Sequence, residues 1–301
     1  MKRRELLRQT AALGLVAAVP FRSELLGVSD KAPTTPNPLK PLAQGSIPVA
    51  VLLSQGAAVI DFCGPWEVFQ DVTIPGHPDQ GFQLYTVAES LDPIQISGGM
   101  RITPNYTLQT APPAKVVVIP AQEGDGEALM DWICKSAETA DVVMSVCTGA
   151  ELLAKTGLLA GKAATTHHDF YRGFARLFPD VQLKPGVRFV EEGNLATAGG
   201  LSSGIDLALR VVERYFGREV AKQTAYYMEY QGQGWMSANS NSIYAKVGTG
   251  PDNSPYCSVC GMDVDPKTAP SSVYKGKTYY FCMPSHKEKF DANPQQFMKN
   301  S

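Results

Sequence analysis

Between residues 47 and 230 the chain alternates short unbroken apolar runs with amphipathic stretches. Residues 47–53 and the Val116-Val-Val-Ile119 run within 115–120 are continuous apolar runs, the pattern of strands buried on both faces, and 141–146 reads as the next central strand. Residues 82–88 alternate apolar with polar, as a strand does, and residues 94–97 and 102–108 predict a small hairpin around Gly98-Gly99. Residues 187–190 and 195–198 supply the last strands. Helices are predicted from Gly64-Pro65, with Pro65 at the start, over 126–137, from Gly149 to a stop at Thr156-Gly157, and over 169–177, 204–216 and 218–230. Strands alternating with helices predict an α/β fold with both sheet faces covered.

Outside that core the pattern lapses twice. Residues 30–46, rich in Pro, Thr and Asn, and 233–254, rich in Gly, Ser, Asn and Gln, read as linkers. The chain then divides into a leader (1–29), a main domain (47–232) and a short aromatic-rich tail (255–301) too small to build much core alone. The leader carries Arg3-Arg4, a leucine pair and a modest apolar stretch, and resembles a twin-arginine export signal, which places the mature protein in the periplasm or otherwise outside the cytoplasm. The alternative is a basic amphipathic leader on a cytosolic protein. A net charge of −2 without a basic stripe argues against nucleic acid as a partner, and no apolar run reaches membrane-spanning length, so no membrane association is expected after export.

Two groups of residues carry chemistry. In Val143-Met-Ser-Val-Cys147-Thr148-Gly149-Ala-Glu-Leu-Leu153 a strand pattern turns sharply into a helix, the form of a nucleophile elbow. A thiol at a helix N-terminus is expected to lose its proton more easily; the competing reading is an inert buried Cys. In the tail, Cys257-x₂-Cys260 and Cys282-x₃-His286 offer three thiolates and an imidazole from two segments, a closed tetrahedral set suited to zinc. Copper(I) is the second candidate, because thiolates are soft and Met262 and Met283 flank the ligands, although core filling is the commoner use of Met. A Cys257–Cys260 disulfide is the alternative outside the cytoplasm. Cys63 and Cys134 read as buried thiols, with a pair between them left open.

The motifs Asp61-Phe-Cys-Gly-Pro-Trp-Glu-Val-Phe69, Val146-Cys147-Thr-Gly-Ala150, Gly157-Leu-Leu-Ala-Gly161 through His167, and Ala198-Gly-Gly-Leu-Ser-Ser-Gly-Ile-Asp206 resemble the ThiJ/PfpI superfamily, and within it isonitrile hydratases and the ligand-binding halves of AraC-type regulators. The resemblance implies a flavodoxin-like three-layer α/β sandwich, commonly a homodimer, with no cofactor in the main domain. It also implies that an acidic residue on the first helix, here Asp61, approaches the Cys; the competing role for Asp61 is a helix N-cap. A protonated Asp61 would donate a hydrogen bond to a Cys147 thiolate. Thr148 stands where the protease-like branch has His. His167 matches a histidine that some relatives bring near the Cys, and on an extended segment at most one of His167 and His168 faces the site. Pro120-Ala121-Gln122 replaces the usual Pro-Gly-Gly, which weakens an oxyanion hole. The tail resembles a YHS domain, a small treble-clef-like metal-binding unit, with His286 in place of its usual last cysteine.

The implied function is a Cys-dependent hydratase or hydrolase acting on a small electrophile, isonitrile hydratase-like, with a transition metal in the tail. The alternative is a non-catalytic protein that binds a ligand, senses oxidants or handles metal. A transcription regulator is the weakest reading, because the tail stands where the regulators carry their DNA-binding region.

Overall fold

The computed structural model describes residues 37–246 and 255–298. The leader at residues 1–29 lies outside the described residues. Seven strands form the central sheet in the order β10-β11-β7-β6-β1-β2-β5. These are β1 (Ile47–Leu52), β2 (Phe82–Ala88), β5 (Tyr106–Thr107), β6 (Val116–Ile119), β7 (Val142–Val146), β10 (Phe189–Glu192) and β11 (Leu195–Ala198). All neighbours run parallel except the β10–β11 hairpin. The predicted hairpin divides: β3 (Ile94–Gln95) pairs with β4 (Arg101–Ile102), whereas β5 leaves it to extend the sheet edge beside β2. A short parallel pair joins β8 (Ala163–Ala164) to β9 (Gln182–Leu183).

Period two in the strands sorts the core into two faces. Val49 and Val51 belong to the cluster packed by α1 (Val59–Gln70), α5 (Ser203–Phe216) and α6 (Arg218–Tyr227). Ala50 and Leu52 belong to the opposite cluster, packed by α2 (Glu127–Ala137), α3 (Gly149–Lys155) and α4 (Tyr171–Leu177). The result is the expected three-layer sandwich. Two local expectations change. Pro65 lies inside α1 rather than at its start, because the helix begins six residues earlier at Val59. Asp61 is accordingly in the first turn and not the N-cap, which is Ala58.

The stretch at 233–246, expected to be a linker, is packed against the main domain. Trp235 is buried and its N–H donates to Asp206 Oδ1 at 2.9 Å, and the Arg188 N–H donates to the Ala238 carbonyl at 2.6 Å. Asp206, held also by Arg188 and Tyr230, provides the buried acceptor that composition alone conceals.

The tail forms a hairpin of β12 (Ser271–Tyr274) and β13 (Lys277–Tyr280) followed by α7 (Pro284–Ala292). It has no separate core: Cys257, Cys260, Tyr279, Phe281 and Phe290 join the same buried cluster as Phe170 and Phe174 of the main domain. Arg172 and Arg176 on α4 pair with Asp263 at 3.2 and 3.4 Å, Arg176 also donates to the Gly261 carbonyl at 3.1 Å, and its guanidinium lies 4.4 Å from the centre of the Tyr256 ring. A Cβ on Gly173 would stand 2.7 Å from the Gly261 backbone, so glycine is required where α4 meets the Cys257–Cys260 turn.

Candidate active site and metal centre

β7 delivers Cys147 to the C-terminal edge of the sheet, where α/β proteins place their sites. Its φ of +59° is the left-handed region, which costs a non-glycine residue about 1–3 kcal/mol. The surroundings hold it there. The Cys147 N–H points at the carbonyls of Ala198 and Gly199 (3.2 and 3.0 Å), and the Thr166 hydroxyl donates to the Cys147 carbonyl at 3.0 Å. A Cβ on Gly149 would fall 2.3 Å from the Ile119 carbonyl oxygen, so only glycine lets α3 start this close to β6. The elbow read from the sequence is therefore present, strain included.

Asp61 is fully buried. Its Oδ2 accepts the Ala121 N–H at 3.1 Å, Oδ1 has no hydrogen-bond partner, and the carboxyl is close enough to the Cys147 thiol for each to shift the other's pKa. Burial pushes the Asp61 pKa to about 7, against the opposing pull of the Ala121 N–H and the Cys147 thiol. The expected easily ionised thiol is not what the geometry gives. Burial, and then the charge of Asp61, push Cys147 up to about 12, and the Thr148 and Leu201 N–H groups and the Thr148 hydroxyl offset only part of this. Near neutral pH the proton rests on sulfur, and the half-ionised Asp61 beside it is the base. The two remain partners, with the proton on the opposite member from the one expected. The Ala121 N–H, in the position considered for an oxyanion hole, serves Asp61 instead.

The Thr148 N–H and hydroxyl pull the Cys147 pKa down, against burial. His167 is one residue beyond Thr166, but among the described residues it makes no hydrogen bond to Cys147: its Nδ1 accepts the Asp169 N–H at 3.2 Å, and its ring packs against Gly200. Burial and His168 hold it below the usual imidazole range. The expectation that His167 and His168 diverge fails. A 3-10 turn at His168–Phe170 replaces the extended segment and stacks the rings with centroids 4.3 Å apart. Leu201 was missed from the sequence. It has φ +48° and turns its N–H to the sulfur, and the Gly199-Gly200 pair before it was the only hint. Cys147 is 8% exposed. Cavities of about 660 Å³ beside Tyr226 and Tyr230 and about 570 Å³ beside Tyr85 and Tyr106 do not reach it.

In the tail the ligand atoms of Cys257, Cys260, Cys282 and His286 all lie within 4.8 Å of one another. Cys260 Sγ is 3.6 Å from Cys282 Sγ, and His286 Nδ1 is 3.4 Å from Cys257 Sγ and 3.2 Å from Cys282 Sγ. Tetrahedral bonds of about 2.3 Å to sulfur and 2.0 Å to nitrogen imply edges of about 3.5–3.8 Å, so these donors fit one ion. All three cysteines are free thiols in the structure, which removes the Cys257–Cys260 disulfide there. Met262 packs into the core, whereas Met283 is exposed. Cys63 and Cys134 are also free.

A strained cysteine between a central parallel strand and a helix, paired with a buried acid, defines an α/β sandwich of the nucleophile-elbow class. The chain belongs to the DJ-1/PfpI family, whose pattern it matches over residues 48–214, and residues 258–301 form a YHS domain. An isonitrile hydratase from Pseudomonas putida is 32% identical over 191 residues, covering 62% of this chain and 79% of that protein. The HTH-type transcriptional regulator CdhR of Pseudomonas aeruginosa is 24% identical over 178 residues, 58% of this chain but only 52% of the regulator. A ThiJ/PfpI family protein from Pseudomonas syringae shares the fold, with a TM-score of 0.55 at 24% identity over 71% of this chain and 84% of that one.

Proposed function

We propose that the main domain hydrates a small, strongly electrophilic carbon, an isonitrile being the type substrate, through a covalent bond to Cys147. The strained elbow that holds Cys147, with the fully buried Asp61 carboxyl acting on its thiol, carries this reading. Ionised Asp61 takes the thiol proton as sulfur attacks the terminal isonitrile carbon, and returns it to that carbon, giving a thioimidate. Water then adds to the same carbon, with Asp61 again as base. The C–S bond breaks, sulfur regains its proton, and the nitrogen leaves protonated as an N-substituted formamide. The sum is isonitrile plus water to formamide, with Asp61 and Cys147 restored. Thr148 orients the sulfur, and no part of the scheme needs His167.

The tail binds a transition ion, zinc by ligand set, with copper(I) as the competing occupant. Bound there, the ion supplies structural cross-linking of two chain segments, with all four positions filled by protein. Export, suggested by Arg3-Arg4, and pairing as a homodimer, suggested by the family resemblance, belong to the same proposal.

The enclosed position of Cys147 favours one second reading, a domain that holds a small ligand without turnover, with oxidant sensing as its variant. Formamide production from small isonitriles, followed for wild type and Cys147→Ser, separates the two. Turnover lost by 10³-fold or more in the variant supports the hydratase. An inactive wild type whose Cys147 is readily converted to the sulfinic acid supports the sensor.

A further inference from the structure

A second group of metal donors lies outside the YHS domain. His167 Nδ1 is 3.8 Å from Asp169 Oδ2, His168 Nε2 is 3.2 Å from Asp169 Oδ1, and one ligand atom from each residue falls within 4.8 Å of the others. Two imidazole nitrogens and a carboxylate oxygen are a borderline donor set, suited to zinc, copper(II) or nickel(II) and distinct from the thiolate-rich set in the tail.

The arrangement is built rather than incidental. The 3-10 turn brings the neighbouring rings onto one side of the chain, against the divergence an extended backbone would impose. His167 is held over Gly200, where a Cβ would stand 2.4 Å from its ring carbon Cδ2, so glycine makes its seat. His168 is held from the other side by Tyr244, whose ring centroid is 4.6 Å away. Two imidazoles are thus fixed by packing, and the exposed Asp169 side chain supplies the movement needed to close the set. Bonds of about 2.0–2.1 Å imply donor separations of about 2.9–3.4 Å, against 3.8 and 3.2 Å from the two imidazoles to Asp169 and no more than 4.8 Å across the set. Binding at His167 Nδ1 displaces one contact, the 3.2 Å hydrogen bond from the Asp169 N–H, and leaves that N–H to solvent.

The geometry points to His167, His168 and Asp169 as an open binding site for a divalent first-row metal ion, on the rim of the loop that covers Cys147. Three protein donors leave coordination positions for water or a small ligand, unlike the closed tail centre. The placement follows from contacts already described: Thr166, which precedes the cluster, holds the Cys147 carbonyl, and Gly200, which seats His167, precedes the Leu201 N–H at the sulfur. The site stands independently of the hydratase scheme.

The test is metal stoichiometry of the full chain, stripped with chelator under reducing conditions, freed of reductant without air, and titrated with zinc in a calorimeter. Wild type is expected to bind two equivalents. His168→Ala and Asp169→Asn should each retain the tail equivalent and lose the second, or bind it at least about tenfold more weakly. Cys260→Ala should retain the second zinc equivalent, and that equivalent should disappear when His168→Ala is added. Thermal melts of the chelated variants serve as a folding control, and Asp169→Asn keeps shape while removing charge. A single equivalent in wild type, or two undiminished equivalents in a folded Asp169→Asn, would overturn the assignment.

Discussion

The protein uses cysteine in two regions with opposite results. Cys147 stands in a packed elbow, and among the described residues the titratable neighbour that acts on it is the Asp61 carboxyl, so burial and like charge hold the proton on sulfur. In the tail, three thiols and an imidazole face one another, and hydrogen bonds from Cys260 and Cys282 drive Cys257 far below the usual thiol range, the same contacts driving Cys260 far above it. Both regions are buried, so burial alone does not separate them. The neighbours do: one acid makes a proton-relay pair, and several donors make a site that a cation balances.

Breaking the tail should have the largest effect. Cys260→Ala removes one of four donors from a module without its own core, and metal binding supplies about 10 kcal/mol or more in structural zinc sites. The expected outcome is loss of the tail ion by elemental analysis, with the tail's protection against proteolysis lost and the main domain still folded. Asp61→Asn tests the other side. It should lower kcat/KM by about 10²–10⁴-fold, and wild-type activity should rise with pH through about 7 as Asp61 ionises. A rising limb near pH 9 or above would instead assign the ionisation to the free thiol.

The same variant sharpens the comparison through stability. The folded pKa of Asp61 lies above its ordinary value, so the native state holds that proton more tightly. The associated stability is complete below about pH 3.8 and is lost as pH rises through about 7. Within that window the loss is about 1.4 kcal/mol per pH unit at most, and Asp61→Asn should abolish it. Urea unfolding of both proteins at pH 5 and 8 measures the difference. The smallest effects belong to the junction between the regions. Gly173→Ala should cost about 1–3 kcal/mol by forcing α4 from the Gly261 backbone. Arg176→Ala should cost about 1 kcal/mol, through the half-buried pair with Asp263, the Gly261 bond and the Tyr256 contact. Thermal unfolding of the metal-loaded protein checks both.

Much of this was legible in the sequence because it is local. Strand runs ending at Val146, the Cys147-Thr-Gly turn and the Cys257-x₂-Cys260 spacing are written within a few residues. The errors arose where distant residues decide. Nothing near Asp61 reveals that the Ala121 N–H, 60 positions away, holds its carboxyl. Nothing in the Gly- and Ser-rich stretch after residue 232 announces that Trp235 will find Asp206. The thiol's pKa was misjudged for the same reason: a helix N-terminus is visible in sequence, whereas the depth of packing above it is not. His167 and His168 were separated by a backbone rule that the 3-10 turn suspends.

The backbone-to-backbone meeting of Gly173 and Gly261 makes the appendage a lid on its host. Without it, Phe170 and Phe174 would face water, an oily face that invites self-association. An ion that locked the appendage in place would keep that face covered, and metal starvation is expected to present as clumping before it presents as any chemical defect.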